Sequence, residues 1–110
     1  MTEQLTFEFA ELVTPDHAPE ATIQQKYDAW AAANPWVLRT LERLVADWLA
    51  AGHSRCGLKQ MWEVIRWQYG VTTGSPFRAD NDFTSRAARA LLDLHPEWAS
   101  AIETRALRAA

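Results

Sequence analysis

The chain has 110 residues, 48% hydrophobic and 23% charged, which suits one soluble globular domain with its own core. Its net charge of −3 argues against a general nucleic-acid binder, and no run nears the roughly 20 apolar residues that cross a bilayer. The single cysteine, Cys56, excludes an internal disulfide, and "MTEQLTFEFAE" lacks the basic-then-apolar order of a secretory signal, so the expected location is the cytoplasm.

Charge is unevenly spread. Residues 1 to 38 carry one lysine against six carboxylates, whereas residues 39 to 89 carry eight Lys or Arg against five. A basic middle behind an acidic front would steer a polyanion to one face; ordinary solvated surface charge is the plainer reading.

In chain order, "QLTFEF" (4 to 9) alternates, with Leu5, Phe7 and Phe9 on one face of a strand. "VTPDHAPEA" is a loop. The division expected is an N-terminal strand and loop segment over 1–18 and a helical domain over 19–110. The first helix runs from near Pro19 to Ala33, with Ile23, Tyr27 and Trp30 a turn apart. Asn34-Pro35 is a corner, with Asn34 as cap for the second helix, Pro35 to about Ala51. That helix bears one apolar stripe through Val37, Leu41, Leu44, Val45 and Trp48. Gly52 stops it, and "HSRCG" turns into a third helix, Leu58 to Tyr69, ended by Gly70.

"VTTGSPFRAD" reads as a small β-hairpin, Val71 to Thr73 and Phe77 to Ala79 flanking a Gly-Ser-Pro tip. A fourth helix starts near Asn81 or Asp82, with Phe83, Ala87, Leu91 and Leu94 inward. His95-Pro96 is a second corner, and a fifth helix carries Trp98 and Ile102. The expected fold is mainly α: a single five-helix domain with a small hairpin and a winged-helix-like trihelical core.

At about 100° per residue, the third helix places Leu58, Met61, Trp62, Ile65 and Tyr69 in one core stripe, with Trp67 nearly opposite beside Val64 and Gln60. An apolar second side needs a cover. The first expectation is that the fourth and fifth helices enclose Trp67. Groove reading of DNA stands second, because only Gln60 on that face suits base edges, and a partner protein seated on Trp67 stands third. In the DNA reading, "AGHSRCG" is the turn of a helix-turn-helix, and Arg55, Lys59, Arg66 and the wing residue Arg78 hold phosphates of duplex DNA.

"NPWVLRTLERLVADWLAAG", "GLKQMWEVIRWQYGVTT" and "FRADNDFTSRAARALLDLHPEWASAIETR" together resemble a group of small proteins encoded by bacteriophages and prophages. The likeness spans roughly residues 27 to 105. Its pattern is an Asn-Pro corner, a Gly-x-Lys-x-x-x-Glu-x-x-Arg-Trp run, a Phe before an Asn-rich turn, a helix with a buried Arg, a Pro helix and a Glu-x-Arg. The matching positions begin with Asn34, Pro35, Gly57, Lys59, Glu63, Arg66 and Trp67. They continue through Phe77, Asn81, Arg89, Pro96, Glu103 and Arg105. Asp82 stands where Asn is usual, and Ala88 where an aromatic is usual. The resemblance implies a phage or prophage origin, and with it a bacterial host cell as the expected setting, and names no reaction.

"QLTFEF" is also similar to the hexapeptide form of the bacterial sliding-clamp-binding motif. Gln4, Leu5, Phe7 and Phe9 would then enter a groove on a host replication protein. The alternative is a strand pairing with the hairpin. His53 and Cys56 have the spacing of half a zinc site, without a second pair nearby. Asp80 to Asp82 suit a helix cap better than a cation site, and Glu63 is placed to pair with Arg66 or Arg89. No Gly-rich phosphate loop, His-Glu-x-x-His or nucleophile elbow is present. The expectation is therefore binding without catalysis, cofactor or metal: a phage-type accessory protein that contacts DNA or DNA-processing machinery, or alternatively a protein-interaction adaptor or inhibitor.

Overall fold

A computed structural model describes residues 9–103. Four α-helices follow in order, α1 (Ile23–Ala33), α2 (Pro35–Ala50), α3 (Leu58–Thr73) and α4 (Phe83–Leu94), and then one 3₁₀ turn, Pro96–Ser100. No described helix is long and apolar enough to cross a membrane. α2 and α3 make the most extensive helix pair, and α4 packs against all three other helices.

α1 begins three to four residues later than Pro19, the start expected from proline's fixed φ. The reason is a capping box: Thr22 Oγ1 accepts the Gln25 N–H at 3.0 Å, and Gln25 Oε1 accepts the Thr22 N–H at 2.9 Å. Both satisfy donors that a helix start leaves orphaned.

The expected helix end at Gly70 and the hairpin after it are both corrected. α3 runs on through Val71, Thr72 and Thr73 and ends at Gly74, whose φ of 75° is the left-handed stop. Gly74 N–H closes onto Gly70 O at 2.9 Å, and Thr73 Oγ1 donates to Tyr69 O at 2.7 Å. β-branched residues suggested a strand, but the final helical turn lacks any conflict with them and the left-handed position falls four residues later. Phe77 to Ala79 then run without a strand partner. Among the described residues there is no strand, only an isolated parallel bridge between Cys56 and Ile102. The wing that a winged helix needs is therefore missing from residues 9–103.

The fifth helix is also shorter than expected. Past Pro96 the described residues make only the 3₁₀ turn, in which Trp98 O accepts the Ala101 and Ile102 N–H groups, both at 2.9 Å. Ala101 O then takes the Cys56 N–H at 2.9 Å. That docking pulls residues 101 and 102 out of helical register beside the α2–α3 turn.

The core centres on Leu41, Val45, Ile65 and Leu91, all fully buried. A continuous set of rings runs through it. Tyr27 and Trp30 meet Phe83, and Trp30 meets Trp62 and Phe77. Phe77 touches Trp36 and Tyr69, which lie nearly parallel at 5.6 Å. Phe9 closes the set edge-on, 5.4 Å from Trp36 and 5.7 Å from Tyr69. Rings at such separations contribute about 0.5–1.5 kcal/mol per pair beyond area burial. Asn34, expected to cap α2, makes no side-chain cap bond there. Its amide instead ties residue 13 of the N-terminal segment to the α1–α2 corner.

Candidate binding face on the third helix

Two features of α3 share one surface. The first is a groove of about 770 Å³ between the start of α3, residues 80–88, and the chain around Ala101. Its floor is apolar: Cys56, Leu58, Trp62, Ala88 and Ala101 are buried and line it. Gly57 opens α3 with extended backbone and no side-chain cap, so the helix start faces the groove.

Arg55, Lys59 and Arg66, three of the four residues expected to hold phosphate, meet on this groove. Arg78 is exposed and does not line it. The groove brings in carboxylates as well. Glu63 Oε2 sits 3.2 Å from Arg66 Nε, Glu103 Oε2 lies 3.6 Å from Arg55 Nη2, and Asp80 lines the opposite wall. Three acids thus face three bases. Arg66 is also turned inward, donating from Nη1 to Phe77 O at 3.0 Å with its guanidinium 5.8 Å above the Phe77 ring. A polyanion would have to compete with Glu63 and the Phe77 carbonyl for Arg66 and with Glu103 for Arg55, and the equal number of acids and bases leaves the groove without a net positive charge.

The second feature is Trp67. Instead of being enclosed by α4 and a fifth helix, it is 64% exposed, and Val71, one turn on, is 64% exposed too. Two facts explain the difference. α4 approaches α3 on the groove side, where Thr84, Ser85 and Ala88 line the cavity. The short 3₁₀ turn that replaces the fifth helix packs on α4 and does not reach the part of α3 that carries Trp67. Helical geometry puts Trp67 about 40° past Glu63, on the shoulder of the groove. Val64, half-buried against the core, completes a Val64–Trp67–Val71 ridge.

Of the residues expected to bind a partner, Gln4, Leu5 and Phe7 lie outside the described residues. Phe9 packs inward on Trp36 and Tyr69 of its own domain. His53 stacks on Trp48 with centroids 3.7 Å apart, and Cys56 is buried, its thiol pushed up by burial. No group of three or more metal-ligating side chains gathers among the described residues. Asp80 Oδ1 accepts the Asp82 N–H at 3.0 Å, a local turn, while Asp82 itself makes no side-chain cap bond to α4. The buried arginine of α4 is Arg86 and not Arg89, which is exposed.

One cluster was not anticipated. His95, at the corner after α4, contacts Glu42 of α2 and Glu97 of the 3₁₀ turn and stacks on Trp98. The sequence places His95 and Glu97 two apart, but Glu42 is 53 residues away, a separation that no local pattern spans.

No family model, curated protein or solved structure matches the chain.

Proposed function

We propose that this chain is a non-enzymatic protein-binding module, and that it presents the outer face of α3 to a partner with Trp67 as anchor. The observation that carries this reading is an indole 64% exposed in the middle of a helix whose other face is fully packed. A rigid helix supports the ring, so little further ordering is needed on binding. Tryptophan, with tyrosine and arginine, is enriched at the energetic centres of interfaces. The ridge spacing of three and four residues fits the apolar stripe of an amphipathic helix. The Glu63–Arg66 pair supplies a polar rim. In the phage-type setting that the sequence resemblance implies, such a module acts as an adaptor or inhibitor of a host protein.

DNA binding is the competing outcome. The groove's acids and the net charge of −3 oppose it. The test pairs two measurements. Capture from bacterial lysate should yield a stoichiometric protein with the wild-type chain, lost on Trp67→Ala and retained on Arg55→Glu with Lys59→Glu. Recovery that ignores Trp67, or no recovery at all, overturns the proposal. A low-salt shift of duplex DNA abolished by the double charge reversal would move the function to the groove.

A further inference from the structure

The His95 cluster has a property that its geometry alone dictates. Nε2 faces Glu42 Oε2, and Nδ1 lies 3.1 Å from Glu97 Oε2. An ionised carboxylate only accepts hydrogen bonds, and a neutral imidazole carries one N–H. Both contacts are hydrogen bonds only when the ring is the imidazolium. Its other surroundings favour that cation. The ring lies 4.0 Å from Trp98, tilted by 14°, which offers the negative face of an indole. Its backbone caps the C-terminus of α4, with His95 N–H on Leu91 O at 2.8 Å, where the helix dipole favours positive charge.

The ring joins three elements. The charged groups that face it are Glu42 from α2 and Glu97 from the 3₁₀ turn. The turn it holds leads directly to Ala101, whose carbonyl takes the Cys56 N–H and whose side chain lines the groove.

We propose that His95 is a proton-operated latch that fastens the 3₁₀ turn to α2 and thereby closes the end of the groove formed by Cys56 and Ala101. With the ring charged, the turn is tied at Glu42 and Glu97 and the Cys56 backbone is covered. Loss of one ring proton leaves one carboxylate without its donor, and the turn is held from one side only. The hydrogen bonds to Glu42 and then Glu97 hold the ring's pKa above the usual 6.5, against a smaller opposing effect of burial. The latch is independent of what binds at Trp67.

Two readouts on the full chain test it. In an NMR titration of the three histidines, the His95 Cε1 proton should titrate above pH 6.5, and Glu42→Gln and Glu97→Gln should each lower that midpoint. Hydrogen exchange at the Cys56 amide, corrected for intrinsic base catalysis, should accelerate several-fold as pH crosses the same midpoint. In His95→Gln it should be fast at every pH. Should His95→Gln not fold, the Glu42→Gln/Glu97→Gln double variant carries the test, because its exchange step must move down together with its ring titration. A midpoint at or below 6.5, a Cys56 amide equally protected on both sides of the midpoint, or an exchange step that stays put when the titration moves, each overturns the latch.

Discussion

Asn34 and Val13 exchange two hydrogen bonds across the α1–α2 corner. The Val13 N–H donates to Asn34 Oδ1 at 2.8 Å, and Asn34 Nδ2 donates to Val13 O at 2.7 Å. A third bond runs from Nδ2 to Trp30 O at 2.9 Å. The side chain mimics a strand neighbour for a single residue of the N-terminal segment, at a site with no solvent exposure. Leu12 N–H adds a bond to the Tyr69 hydroxyl at 2.9 Å, so the segment is fixed to both α3 and the corner. Asn34→Ala should cost roughly 2–4 kcal/mol, because it strands buried backbone groups as well as deleting bonds. Urea unfolding of the variant measures this; a loss under about 1 kcal/mol would show that residues 9–13 do not depend on the amide.

Trp62 and Trp67 make an internal control. They are five residues apart on α3, yet Trp62 is 2% exposed and Trp67 64%. Trp62→Ala should cost about 3–5 kcal/mol through lost contacts and a cavity. Trp67→Ala should stay within about 0.5 kcal/mol. The same variant should remove the most iodide-accessible share of the fluorescence. A large loss of stability in Trp67→Ala would mean that the ring is covered in the folded monomer.

Gly70 and Gly74 should respond to alanine with opposite signs. Gly70 lies inside α3, and a Cβ there would meet Ser75 O at an ordinary 3.9 Å. Gly70→Ala should therefore stabilise by about 0.5–1 kcal/mol, through the smaller entropy loss on entering the helix. Gly74 has open space around a Cβ but a φ of 75°. Gly74→Ala should cost about 1–2 kcal/mol for the left-handed conformation alone. Thermal unfolding of the two variants ranks them, and the reverse order would place the end of α3 at Gly70.

The pattern of what the sequence disclosed follows from interaction range. The helices were readable because buried residues recur at the helical period within each of them, Leu41 and Val45 in α2, Met61 and Ile65 in α3, and Ala87 and Leu91 in α4, and the Glu63–Arg66 pair was readable because it lies within one turn. The extent of α3 was misread because Gly70 resembles a stop, and only its φ distinguishes it from Gly74. The covering of Trp67 was misjudged because it depends on which side α4 approaches, a long-range property set by packing. Lys59, Glu63 and Arg66 share one side of α3, as their spacing implies, and Arg55 joins them on the groove while Arg78 does not; Glu103 and Asp80 come from distant segments, so the balancing of the groove's charge was hidden.

Stability should pass through a plateau in mildly acid solution. His95 has a raised pKa in the folded chain, so its contribution is complete below 6.5 and is lost as pH rises through the folded midpoint. Glu97 is lowered, first by its own backbone hydrogen bond and then by His95. Its contribution is complete above 4.5 and is lost as pH falls through the depressed folded value. The two overlap between pH 4.5 and 6.5. The Tm gap between wild type and His95→Gln, followed by calorimetry, should be widest there and narrow on the alkaline side; a gap that widens with rising pH would contradict the assignment.

Arg86 poses the opposite problem to the well-tied Asn34. It is 4% exposed, its Nε has no partner, and its Nη1 reaches Asp82 O only at 3.5 Å. No carboxylate pairs with it among the described residues. A guanidinium taken out of water loses hydration that one long bond does not restore, whereas its three methylenes pack well between α4 and the core. Methionine keeps most of that packing and removes the charge. Arg86→Met should therefore leave stability unchanged or raise it by up to about 2 kcal/mol. Arg86→Ala, which also empties the space, should lower it by roughly 2–3 kcal/mol. Chemical denaturation of the pair separates packing from charge. If methionine proves as costly as alanine, the guanidinium has a partner that offsets its desolvation, and α4 is held in part by that charge.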